Sequence, residues 1–93
     1  EPKKEIKWAF HIPGKDPLKI KNKNDFVLEY KHYMHLIERS KMWDFETKRK
    51  KYAELKTNNM EMLEQLRDAD FGLIEEIEME EGRLFDAEDA VNS

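Results

Sequence analysis

The sequence predicts a mainly α-helical chain with a short extended arm or β-hairpin at its front, and three observations lead there. All the prolines, Pro2, Pro13 and Pro17, crowd the front, and none occurs from Asp25 onward. The proline-free stretch is rich in Glu, Lys, Leu, Met and Arg, which are good helix formers. Its apolar residues recur at steps of three and four, the spacing of one face of a helix.

The front segment, residues 1–24, reads as extended. From Glu5 to Ile12, the residues Ile6, Trp8, Phe10 and Ile12 alternate with Lys7, Ala9 and His11, the period of two of a half-buried strand. Pro13-Gly14-Lys15-Asp16-Pro17 supplies a turn, because proline presets φ and glycine accepts positive φ. Leu18 and Ile20 then alternate with Lys19 and Lys21. A hairpin is one reading. An isolated two-stranded hairpin is barely stable in water, so an extended arm that plugs Trp8 and Phe10 into a neighbour is the other.

The helical segment spans residues 25–93. Asn24 or Asp25 can cap the first free backbone N–H groups. A helix from about Asp25 to Arg39 carries Phe26, Tyr30, Tyr33, Met34 and Ile37 on one broad face, widened by Leu28 and Leu36. Arg39-Ser40-Lys41 weakens the stripe, and the bulky run Met42-Trp43-Asp44-Phe45 marks a corner or a continuous turn packed on a partner. One long amphipathic helix, or two nearly collinear ones, is expected from about Trp43 to Glu88. Its stripe runs through Tyr52, Leu55, Asn59, Met62, Leu63, Leu66, Leu73, Ile74, Ile77, Leu84 and Val91.

That spacing stays near 3.6, and Ala69-Asp70 and Glu80-Glu81 interrupt it, so the seam is coiled-coil-like but imperfect. Kinks are expected at Thr57-Asn58-Asn59, where Asn58 and Glu61 have capping-box spacing, or at Gly72 and Gly82. Each glycine weakens a helix interior by about 1 kcal/mol relative to alanine. The end, Glu88 to Ser93, should fray.

Charged residues make up 41% of the 93 residues and the hydrophobic set 39%. A small domain is marginal even with a good core, so apolar residues this dilute predict that another chain, or a second copy, covers the stripe. The net charge of −4 hides a division. Lys and Arg outnumber Asp and Glu by 15 to 9 through Lys56, and from Thr57 onward the count is 2 to 12. Such asymmetry suggests partners of opposite sign, or halves lying antiparallel. The chain has no cysteine, which excludes disulfides and thiolate metal sites and fits an intracellular location. No apolar run approaches the ~20 residues that span a bilayer, and these residues contain no charged-then-apolar signal segment. The first residue is Glu1 rather than methionine, consistent with processing, trimming or excision from a longer protein.

Few residues suggest chemistry. Glu29, His32, His35 and Glu38 are spaced by three, and Glu29-x-x-His32 is half of a carboxylate-bridged di-iron element. The second half is missing, so no metal site is expected. Serine and threonine are scarce, and Ser40 lies five residues after His35, where a helix points the two in different directions. Gly14, Gly72 and Gly82 are isolated and form no phosphate loop. No catalytic residue and no cofactor is expected. Lys48-Arg49-Lys50-Lys51 is the one dense basic cluster, suited at most to a peripheral nucleic-acid contact.

The reading is therefore a non-catalytic protein–protein interaction subunit or scaffold element. It docks through its aromatic arm and long helix, with Trp8, Phe10, Trp43, Leu55, Met62, Leu66, Leu73, Ile77 and Leu84 as partner-binding residues. The alternative is a small acidic inhibitor or adaptor whose run Glu75 to Glu81 mimics a nucleic acid and fills a basic groove.

Overall fold

Pro13 and Gly14 turn the front of the chain back on itself. In the computed structural model, which describes residues 7–85, the Lys15 N–H donates to the Ile12 carbonyl at 3.0 Å, and Gly14 sits at φ 79°. Proline second and glycine third in such a turn suit the geometry that needs one left-handed residue. Strand β1 (Ala9–Phe10) thereby pairs antiparallel with β2 (Leu18–Lys19), Ala9 opposite Lys19 and Phe10 opposite Leu18. Of the two readings of the arm, the hairpin is the one that forms. It survives because it does not stand alone: Phe10 is fully buried, its ring centroid 5.2 Å from that of Tyr33 and 6.2 Å from those of Phe26 and Tyr30. The expected strand start, Glu5 and Ile6, lies outside the described residues.

Helix α1 (Lys23–Arg39) starts two residues earlier than expected. Asn22, rather than Asn24 or Asp25, is the cap: its Oδ1 accepts from the Asp25 N–H at 2.9 Å. Asp25 falls in the first turn, where a carboxylate favours the positive end of the helix dipole. Of the predicted face Phe26, Tyr30, Met34 and Ile37 are buried, joined by Val27, and Tyr33 is half-buried. Leu28 and Leu36, expected to widen it, are 67% and 46% exposed because they point away from the core. The run Met42-Trp43-Asp44 is a corner. It leads into α2 (Phe45–Asn58), where Asp44 Oδ1 accepts from the Thr47 N–H at 2.8 Å.

The expected long helix is not one rod. Helices α2 and α3 (Met60–Ala69) meet at Asn59, one of the anticipated kink positions. The ladder continues across it, Asn59 N–H to the Leu55 carbonyl at 3.2 Å and Leu63 N–H to the Asn59 carbonyl at 2.8 Å. The cause is not the expected capping box, since Asn59 is the cap residue and makes no side-chain cap bond. At Asp70 the chain reverses outright. Its backbone is extended, and its Oδ1 accepts from the Leu73 N–H at 3.3 Å as α4 (Phe71–Phe85) begins. The expected helix end near Glu88, together with Val91, lies outside the described residues.

The direction of each helix follows from its side-chain pairs. Lys23–Asp70, Lys31–Glu76 and His35–Glu80 advance together along α1 and α4, so these two run parallel. Lys56–Glu81 and Arg67–Glu78 run in opposite order, so α4 lies antiparallel to the α2–α3 rod. Three layers of helix thus share one core, which overturns the expectation that another chain must cover the stripe. Leu66 is 0% exposed, Ile77 2%, Ile74 3% and Leu63 7%. Folding the stripe at Asp70 turns its two halves toward each other and toward α1, and a continuous coiled-coil seam never forms. Among the described residues no helix is long and apolar enough to cross a membrane.

Candidate functional site

Most of the predicted anchors serve the protein's own core. Phe10, Leu55, Met62, Leu66 and Ile77 are buried, and Trp8, Leu73 and Leu84 pack half-buried against that core. Trp8 lies 5.7 Å from Phe26, centroid to centroid. Trp43 also packs half-buried against that core, at the α1–α2 corner, with Met42 beside it 88% exposed.

Local chemistry builds this corner. Helix α1 ends at Arg39, Ser40 Oγ accepts from the Met42 N–H at 3.3 Å, and the Asp44 cap fixes where α2 starts. Lys48 Nζ also donates to the Glu38 carbonyl, tying the first turns of α2 to the end of α1. Trp43 is left facing the Ile12-Pro13-Gly14 turn across a groove of about 460 Å³, floored by Tyr33, Ile37 and Leu55. Lys15, Lys51 and Glu54 also line it, and Lys51 Nζ stands 5.1 Å from the Trp43 ring centroid. A second groove of about 470 Å³ shares Pro13, Gly14 and Glu54 and adds Lys50.

One residue holds the far wall. Asn59 is fully buried, and its Oδ1 accepts from the His11 N–H at 2.7 Å. Its Nδ2 donates to the His11 carbonyl at 2.8 Å and to the Leu55 carbonyl at 2.8 Å. The amide pairs with His11 as a strand neighbour would, and so pins the hairpin to the α2–α3 kink. Sequence reasoning placed Asn59 in the apolar stripe and at an expected kink, and gave its amide no partner. The signal was its polarity, since a buried amide needs partners.

The titratable groups mostly have structural partners. His35 Nε2 meets Glu80 Oε2 at 2.6 Å, whereas His32 is exposed. Among the described residues no group of three or more His, Asp and Glu side chains is placed to hold a metal ion. Tyr30 and Tyr52 share a hydroxyl–hydroxyl hydrogen bond of 3.2 Å, and burial pushes both phenols above their ordinary range. The side-chain hydrogen bond to Thr47 holds the Asp44 carboxyl below its usual range, and the bond from Lys23 does the same for Asp70.

The basic run diverges. Lys48 reaches the end of α1, Arg49 lies 5.8 Å from the Phe45 ring centroid, Lys51 covers Trp43, and Lys50 faces the second groove. Four neighbours on a helix span more than a turn, so no single phosphate-binding patch results. The groove brings together an apolar floor, an aromatic wall and ammonium groups, an arrangement suited to holding a ligand. Comparison with known proteins matches the chain to no family model, no curated protein and no solved structure.

Proposed function

We propose that this protein is a non-catalytic interaction module that docks a partner protein at the α1–α2 corner, with Trp43 and Met42 as its contact residues. The observation that carries this reading is the groove itself. A half-buried Trp43 lines an apolar depression, with the exposed Met42 next to it in sequence, in a molecule whose helices already share a core. Tryptophan is enriched among residues that dominate binding energy, and methionine adapts to varied surfaces. The docking face is therefore moved from the long stripe to the corner, because the stripe is used for folding.

The acidic-inhibitor alternative has less support. Glu76, Glu78, Glu80 and Glu81 of α4 pair with Lys31, Arg67, His35, Arg83 and Lys56 of the same chain, which reduces the field available to a basic groove.

The test places a photo-crosslinking amino acid at position 42 and, separately, at position 79, where Met79 is 67% exposed on α4. Crosslinking at 42 to a defined protein, abolished by Trp43→Ala and absent at 79, is the expected result. Circular dichroism checks that the Trp43→Ala chain remains folded. Equal capture from both positions, or none from 42, removes the reading.

A further inference from the structure

We infer that the occupant of the Trp43 groove is a short acidic segment of a partner protein, carrying one apolar side chain as its anchor. The inference rests on the interaction-module reading and names the chemistry of the partner.

The two grooves form one path past the Pro13-Gly14 turn, and they differ in character. The first has the apolar floor of Tyr33, Ile37 and Leu55 and the Trp43 wall, room for one branched or aromatic side chain. The second is lined by Lys50, Ala53, Thr57 and Asn58 beyond the shared residues, so it suits backbone and polar groups. Along the path stand three cations, Lys15, Lys50 and Lys51, against one carboxylate, Glu54.

Elsewhere on the molecule three lysines are matched by carboxylates, while among the described residues Lys7, Lys19, Lys21 and Lys41 are not, and Lys48 bonds a backbone carbonyl. Lys23, Lys31 and Lys56 each have a carboxylate within 3.4 Å, supplied by Asp70, Glu76 and Glu81. Among the described residues Lys15, Lys50 and Lys51 have none within the 4.0 Å of an ion pair. Lys51 rests on the Trp43 ring instead, a contact that leaves its ammonium open to an arriving carboxylate. A chain that is acidic overall thus sets three cations against one carboxylate along the edge of an apolar depression. An anchor in the first groove with acids flanking it satisfies both features. A basic segment would meet like charge, and a purely anionic ligand would leave the apolar floor unused.

The probe is a fluorescein-labelled, N-acetylated peptide of alternating Glu and Gly with one central Leu, compared with a Lys-for-Glu version and a Ser-for-Leu version. Anisotropy measures binding to the full chain, and amide shift mapping locates it. The acidic Leu peptide should bind at least about tenfold tighter than either relative, with shifts at Gly14, Trp43 and Lys51. Its binding should weaken about tenfold in the double variant Lys15→Glu, Lys51→Glu and on raising salt from roughly 0.05 M to roughly 0.5 M. Lys19→Glu, on β2 and away from these grooves, should leave binding unchanged.

Equal binding of all three peptides, no binding, or shifts confined to another face overturns the inference. So does a single-stranded oligonucleotide that competes as well as the acidic Leu peptide. Should position 42 still crosslink a partner that ignores the double charge reversal, the interaction module stands and the acidic occupant falls. Loss of crosslinking at position 42 in the native chain instead removes the module reading itself.

Discussion

Asn59 does for the hairpin what a third strand would do, with one side chain. Replacing it by leucine keeps the branching but leaves the part-buried His11 N–H and carbonyl without their partner. Each unpaired buried group costs about 1–3 kcal/mol. Asn59→Leu should therefore lower unfolding stability by about 2 kcal/mol or more in denaturant melts, and amide exchange at His11 and Ile20 should speed up beyond that global loss. The buried tyrosine pair sets a limit at the alkaline end. Tyr30 and Tyr52 have phenols raised above the ordinary value near 10. A raised folded-state value means their contribution is complete below pH ~10 and is lost as pH climbs beyond it. Helix content and tyrosine ionisation followed together should show these two phenols ionising only as the fold is lost. At this scale the sequence exposed the apolar members of the core well, because hydrophobicity is local information. It concealed Asn59, whose partner His11 is 48 positions away.

Helix boundaries show what periodicity carries. The α1 face, the corner at Met42-Trp43 and the kink at Asn59 were all legible, since caps, breaks and stripes are written in neighbouring residues. The reversal at Asp70 was not. A stripe of period 3.6 looks the same whether the chain runs on or doubles back, and no proline or glycine stands at the break itself. Asp70 makes the turn with its carboxylate, which accepts from Leu73 N–H and faces Lys23. Its carboxyl is held below the usual range, so its contribution is intact above pH ~4 and disappears as pH falls through the lowered value. An acid titration followed by circular dichroism should lose stability over that interval. Asp70→Asn should be less stable at neutral pH and flatter across the same interval, because the neutral amide cannot pair with Lys23.

Across the whole molecule, the charge split visible in the counts becomes an internal match between a basic front and an acidic rear. The expectation of halves lying antiparallel is met for α2–α3 with α4, but α1 runs parallel to α4. What composition obscured was sufficiency. Apolar residues that look sparse along a line close a core once the line is folded into three layers. Leu66, fully buried, should therefore matter far more than Glu78 on the flank. Leu66→Ala should cost about 3 kcal/mol in denaturant melts, whereas Glu78→Gln, which breaks a surface pair, should cost less than ~1 kcal/mol. Sedimentation should show a monomer of 11.3 kDa. A stable dimer would mean that further apolar surface is being covered.

The shared direction of α1 and α4 has a consequence for how the molecule comes into being. Arg67 and Glu78 are 11 positions apart, but Lys31 and Glu76 are 45 apart. Short closures cost less entropy than long ones, so the rear hairpin should zip first. During synthesis the front helix leaves the ribosome with Lys31 and His35 still without Glu76 and Glu80, and it must wait for α4 to arrive. A message cut short before Ile74 would yield a chain whose first helix has lost its lid.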